Sequence, residues 1–190
     1  LTEKPNDLFE AYEFARDHQL TLSNFFEAHS IATRHLLPES QRGVVRTANM
    51  LIMDQQTQQV QYEAAPGSTA KNEFELFWTE LDELIQQTLT TQQVFYYASL
   101  IHLVFVKIHP FNDGNGRTGR LLEKWFLAKK LGDIAWFITS EKNYWNNRPT
   151  YYKNLQNGVN YYEIKYEKSV PFLLMLPDSL LNDTNNSDNC

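Results

Sequence analysis

The run VFYYASLIHLVFVKI, from Val94 to Ile108, constrains the folding of this chain more than any other segment. Only Ser99, His102 and Lys107 interrupt it, so a helix drawn through it is apolar on nearly every face. Such a helix must be covered all round. At fifteen residues it is shorter than the roughly 20 that a bilayer core requires. That leaves burial at the centre of a helical domain. A chain of 190 residues suits one domain with at most a small extension.

The flanking sequence reads as more helices. Leu8, Phe9, Tyr12 and Ala15 have helical spacing within Asp7 to His18. A second helix is expected from Ser23 to His35, with Thr21 or Ser23 as N-cap and Pro38 beyond its end. Between Val44 and Tyr62 the pattern changes to VVRTANMLIM and QQVQYE around DQQT, which predicts a β-hairpin. Phe74, Phe77, Trp78, Leu81, Leu84 and Ile85 then mark an acidic amphipathic helix. Leu121, Leu122, Trp125, Phe126, Ala128 and Leu131 mark another, closed by Gly132. Ser140 to Tyr166 is expected to hold two shorter helices, and LNDTNNSDNC is a polar, mobile end.

The junction after the apolar run reads IHPFNDGNGRTGR, Ile108 to Arg120. Pro110 disfavours the α-region for His109, so the buried helix should stop at or just before it. An imidazole held at a rigid helix end is well suited to take a proton near neutral pH. Gly114 and Gly116 allow backbone N–H groups, with those of Asn115 and Arg117, to converge at the start of the next helix as an anion site. Arg117 and Arg120, three residues apart, share one face of that helix and can grip phosphate oxygens with forked hydrogen bonds. Asp113 is the only carboxylate of the loop. Beside a polyphosphate its natural task is to hold Mg²⁺, which uses one or two carboxylates plus phosphates and waters. A base, a metal ligand, an anion hole and charge clamps fit phosphoryl-type transfer.

HPFNDGNGRTGR also resembles the signature of Fic-domain proteins, HPF-x-[D/E]-G-N-G-R-x-x-R, at every specified position: His109, Pro110, Phe111, Asp113, Gly114, Asn115, Gly116, Arg117 and Arg120. FEAHSIATRHLLPESQRGVVR is similar to the family's first core helix and its G-x-x-R segment, QQVQYEAAP to its flap hairpin, and NNRPTYYKNL to its late helix. The resemblance implies a mainly α fold, a helical bundle with a small β-hairpin flap beside the active-site loop. It divides the chain into an N-terminal extension (1–24), a catalytic core (25–176) and a polar tail (177–190). The implied activity is transfer of AMP from ATP to a Ser, Thr or Tyr hydroxyl of a target protein, the chain itself included, with loss of pyrophosphate. His109 would be the base and Asp113 the Mg²⁺ ligand. Asn112, Gly114, Asn115, Gly116, Arg117 and Arg120 would bind nucleotide and phosphate. Gln59, Val60, Gln61 and Tyr62 would dock the target as an added strand. Doc-type relatives that phosphorylate lack the second glycine, so Gly116 favours nucleotidyl transfer. The alternatives are transfer of UMP, phosphate or phosphocholine, or a non-catalytic nucleotide-binding module.

Blander readings stand beside these. His102 lies seven residues before His109 and could suggest a metal pair, but a core histidine bonded to backbone is favoured. Arg120 could pair with Glu123 on its own helix, and Lys124 reads as solvated. Of the tyrosines, Tyr151 and Tyr152 are the candidates for an adenine wall. Relatives often carry an inhibitory helix, [S/T]-x-x-x-E-[G/N]. Ser23 to Glu27, Thr69 to Glu73 and Thr79 to Glu83 match only its first half. LTEKPNDLFEAYEFA resembles the segment after that helix in relatives inhibited from the N-terminal side. The expectation is therefore an inhibitory helix upstream of Leu1 in a longer chain, which this form would lack, with a separate antitoxin as the other source. A homodimer stays open. A net charge of −6 without a basic block argues against direct nucleic-acid binding. The lone Cys190 and the lack of a signal-peptide pattern at Leu1 suggest a cytoplasmic setting away from membranes.

Overall fold

The computed structural model describes residues 6–54 and 57–187. Among them it places eight α-helices and one two-stranded antiparallel sheet, the mainly helical fold with a small hairpin that the sequence predicts. The apolar run forms the central helix α4 (Thr91–Ile108). Thr90 starts it with a reciprocal capping box: Thr90 Oγ1 accepts from Gln93 N–H, and Gln93 Oε1 accepts from Thr90 N–H. α4 packs along α5 (Asn115–Leu131). Gly119 allows the close crossing, since a Cβ there would lie 3.0 Å from Val106 and 3.2 Å from the His102 ring. Around this pair lie α1 (Asp7–Asp17), α2 (Leu22–Ala32) and α3 (Ala70–Gln86). The remaining helices are α6 (Ser140–Asn146), α7 (Arg148–Asn154) and α8 (Val170–Ser187). No described helix is long and apolar enough to cross a membrane.

One core joins Phe25, Phe74, Trp78 and Phe105 to Phe111 of the junction. A second cluster joins Leu103 on the opposite side of α4 to Tyr144, Tyr151, Phe172 and Met175. The junction is thus anchored on an aromatic core, each large side chain of which adds ~1.5–3 kcal/mol on burial.

Three elements differ from the sequence expectation. α2 ends at Ala32, not His35, because the α-helical ladder stops after Thr33: Arg34 N–H turns to the Ile31 carbonyl and Leu36 N–H to the Thr33 carbonyl, and the chain leaves in tight turns. The hairpin is shorter than expected: β1 is Leu51–Met53 and β2 is Val60–Glu63. Val44 to Ala48 stays unpaired with β2 because Arg46 N–H bonds the Pro110 carbonyl, which draws the segment against the junction. Through Ser187 the polar C-terminal stretch is helical, and residues 188–190 lie outside the described part, as do Gln55 and Gln56 of the hairpin turn.

Candidate active site

α4 ends where the sequence places its end. His109 leaves the right-handed α-region, as Pro110 demands, but enters the left-handed one with φ 54° and ψ 58°. A side chain there costs ~1–2 kcal/mol. Arg46 offsets that cost. It is buried, and its guanidinium donates to the carbonyls of His109 (2.7 Å), Ile108 (3.1 Å), Ala48 (2.7 Å) and Ala65 (2.6 Å). Of the carbonyls at the end of α4 that lack an intrahelical donor, Arg46 satisfies that of Ile108, together with that of His109 just beyond it.

The His109 ring is fixed in a useful tautomer. Its Nδ1 lies 3.1 Å from the Val106 carbonyl, which can only accept, so the ring proton sits there and Nε2 keeps its lone pair. Burial lowers the pKa to about 4, against the opposing pull of the Val106 carbonyl and with help from the Arg46 charge. At neutral pH the imidazole is uncharged and basic at Nε2.

The loop beyond is closed by its own side chains. Asn115 Oδ1 accepts from Phe111 N–H at 2.9 Å, and Asn115 Nδ2 donates to the Phe111 carbonyl at 2.8 Å. The Asn115 side chain is therefore a staple, and only its backbone is available to an anion. Gly114 has φ 79°, and a Cβ there would lie 2.5 Å from the Thr33 methyl, so no other residue fits. Its N–H is taken by Asp113 Oδ1 at 2.6 Å. The expected nest is thus smaller: Asn115, Gly116 and Arg117 supply the N–H groups of the first turn of α5, which a helix cannot pair internally. Asn112 is half-buried, whereas Asp113 and Arg117 are exposed. Asp113 keeps one carboxylate oxygen for a further partner, which suits a cation shared with phosphates and water, although no described cluster of three or more His, Cys, Asp or Glu forms a metal cage.

His29 was not foreseen. Gly43 N–H donates to its Nδ1 at 2.8 Å, so Nε2 carries the proton and donates to the Asp113 carbonyl at 3.0 Å. The ring stacks on Phe111 with centroids 3.7 Å apart, and burial lowers its pKa to about 4. A neutral imidazole from α2 thus tethers the backbone of the loop's carboxylate. The sequence signal was a lone histidine on an apolar helix face, which by itself only says core. His29→Leu leaves two part-buried polar groups, Gly43 N–H and the Asp113 carbonyl, without this partner and should lower stability by about 1–2 kcal/mol. A urea titration checks this, and an unchanged midpoint would show that the tether carries little.

The readings around Arg120 need correction. Arg120 does not pair with Glu123; its Nε donates to Glu141 Oε2 at 2.7 Å. Glu123 is buried and accepts from Tyr144 Oη (2.7 Å), with His102 Nδ1 at 2.8 Å from the same oxygen. His102 Nε2 meets Tyr151 Oη at 3.0 Å, so His102 is a core histidine, but one bonded to side chains and not to backbone. Tyr151 is buried in that network and is no wall for adenine; Tyr152 is half-exposed, with the Arg148 guanidinium 5.6 Å above its ring. Lys124 is buried, not solvated, and donates to the Ile138 carbonyl. None of the three partial inhibitory motifs supplies the carboxylate bonded to Arg120.

The flap is attached at Tyr62. Its ring is buried, its hydroxyl donates to the Lys107 carbonyl at 2.9 Å, and Lys107 Nζ sits 4.2 Å above the ring. Burial lowers the Lys107 pKa to about 8, and its ammonium also donates to the Leu155 carbonyl. Tyr62 is therefore an anchor, and its side chain cannot meet a target. Gln59, Val60 and Gln61 instead line a cleft of about 500 Å³ that faces Gln156, Val159 and Lys165.

A model of the Fic/DOC family matches residues 19–127. The fold is similar to a Fic family protein from Desulfovibrio desulfuricans (TM-score 0.74, 21% identity, 97% of this chain and 54% of that one). It is similar also to a variant fragment of Fic-1 from C. elegans (0.65, 18%, 96% and 49%) and to a Fic domain containing signaling protein from Bacteroides thetaiotaomicron (0.59, 22%, 93% and 66%). The chain spans about half the length of the first two. No curated protein matches it.

Proposed function

The chain belongs to the Fic/DOC family, and on that premise we propose that it is a protein adenylyltransferase that moves AMP from ATP to a Ser, Thr or Tyr hydroxyl of a protein. The observation that carries this reading is the pairing of a neutral His109, its Nε2 unprotonated, with the unpaired first-turn N–H groups of α5. His109 Nε2 takes the proton of the incoming hydroxyl as that oxygen attacks the α-phosphorus in line, and pyrophosphate leaves. The N–H groups of Asn115, Gly116 and Arg117 receive charge that develops on phosphate oxygens. Gly116 keeps that turn open: a side chain there would stand over Arg120 Nη1, 3.5 Å from the first carbon. Arg117 and Arg120 hold the outer phosphates. Mg²⁺, when bound through Asp113, would supply charge neutralisation between phosphates. The target's extended segment would lie along the cleft beside Gln59, Val60 and Gln61.

The test is incubation with ATP labelled at the α- or the γ-phosphate, with UTP and with CDP-choline, followed by intact mass. Incorporation of the α-label alone is expected. Incorporation from the γ-label, or from another donor in preference, would overturn AMP transfer. Asp113→Ala should flatten the Mg²⁺ titration and lower activity on the order of 10²-fold. Circular dichroism should report an intact fold, because Pro110, Gly114 and the Asn115 staple shape the loop without the carboxylate. An unchanged Mg²⁺ dependence would place the metal elsewhere.

A further inference from the structure

Arg120 is held before any ligand arrives. Its Nε donates to Glu141 Oε2 at 2.7 Å, and the other oxygen of that carboxylate, Oε1, accepts from Tyr12 Oη at 2.5 Å. Tyr12 lies on α1, Arg120 on α5 and Glu141 on α6, so three helices converge on one carboxylate. α6 is itself fastened on two sides. Tyr144 donates to Glu123 of α5, and Asn143 Nδ2 donates to the Met175 carbonyl of α8 at 2.8 Å. The carboxylate therefore has little freedom.

The manner of contact matters. Glu141 takes Nε and leaves the forked end of the guanidinium uncommitted to it. That end points at the first turn of α5, since Nη1 is the atom that a side chain on Gly116 would meet. Burial works against the charge of Arg120, but Glu141 holds its pKa above the ordinary arginine value.

We propose that Glu141 is the positioning residue for Arg120, and that Tyr12 is the second anchor that fixes Glu141. The proposal rests on the reading of the site as an ATP site. A free arginine side chain loses rotamer entropy when a ligand immobilises it. Here that ordering is complete in the folded protein, so the phosphates meet a guanidinium already aimed. The arrangement also makes α1 part of the nucleotide site, although no α1 side chain belongs to the loop motif.

The experiment measures binding to the full chain of two ligands: an ATP analogue with a methylene bridge between the α- and β-phosphorus atoms, which resists transfer, and AMP, which lacks the outer phosphates. The proteins are wild type, Glu141→Gln, Glu141→Ala, Tyr12→Phe and Tyr12→Phe/Glu141→Ala. Glu141→Ala should weaken the ATP analogue about tenfold, the scale of one long side chain left unordered, with Glu141→Gln intermediate. Tyr12→Phe should weaken it less, and the double variant should match Glu141→Ala, because Tyr12 acts only through Glu141. AMP should bind all five alike, and ATP transfer should show a raised KM while kcat changes little. Equal binding of the ATP analogue by wild type and Glu141→Ala would overturn the positioning role and leave the ATP reading intact. Tighter binding by Glu141→Ala would overturn it too, by showing that the carboxylate competes with the ligand. Equal losses for AMP and the ATP analogue would reduce Glu141 to a structural contact. A wild type that binds neither ligand would overturn the ATP reading, and the proposal with it.

Discussion

His109→Ala should lower the rate of AMP transfer by about 10²–10⁴-fold, the usual worth of a positioned general base, while ATP affinity stays within a few-fold. The two effects separate because the imidazole acts on the incoming hydroxyl, whereas the nucleotide is held by α5 N–H groups and arginines that the substitution leaves in place. The ring's hydrogen bond in the fold is to Val106, and alanine occupies the same left-handed backbone at a similar cost, so the loop should survive. Label incorporation gives the rate, and binding of the non-transferable ATP analogue gives the affinity. The pH profile adds a second check. The base is active when neutral, and burial places its pKa at about 4. The kcat/KM of the wild type should therefore hold as pH falls through 6 and decline only as it approaches 4. Near-normal turnover by His109→Ala, or an acid limb centred near 6.5, would remove this histidine from the role of base.

Arg46→Ala should have the largest effect on stability. The side chain is 2% exposed and serves four carbonyls from three parts of the chain: the end of α4, the segment before β1 and the segment after β2. Removing it leaves the Ala65 and Ile108 oxygens buried without this donor and breaks the part-buried bonds to His109 and Ala48. At ~1–3 kcal/mol for each orphaned group the loss is about 4 kcal/mol or more, much of the ~5–15 kcal/mol that holds a domain folded. Arg46→Lys should recover only part, since one ammonium cannot reproduce a planar fork with donors on both edges. Urea titrations of both variants, with Arg117→Ala as an exposed control, give the comparison. A loss below about 1 kcal/mol for Arg46→Ala would mean that the loop finds other donors or water.

The elements that were legible in the sequence are those whose signal is local. α1, α3, α4 and α5 follow from apolar spacing, Gly132 marks an end, and Pro110 stops α4, because each depends on the covalent chain and its nearest turns. The junction was legible for the same reason: its glycines, its carboxylate and its two arginines lie within one loop and one helical turn. The hairpin was overextended because Val44 to Ala48 has strand composition, yet Arg46 N–H bonds Pro110, distant in sequence.

By itself the sequence determined which residues could do chemistry and where the central helix had to break. It could not determine their partners. Glu123 was the natural mate for Arg120 at helical spacing, but Glu123 turns inward to His102 and Tyr144, and Glu141 arrives from another helix. Likewise Tyr151 looks like a binding residue in the sequence and proves to be buried in a polar network, whereas His29 looks like core and proves to hold the loop. Periodicity reports which face of a helix is apolar. It does not report which of several polar groups will be desolvated together, and a desolvated polar group must find its partner wherever the packing of helices puts one. The tautomer of His109, the aim of Arg120 and the fixation of Asp113 are therefore properties of the tertiary structure alone.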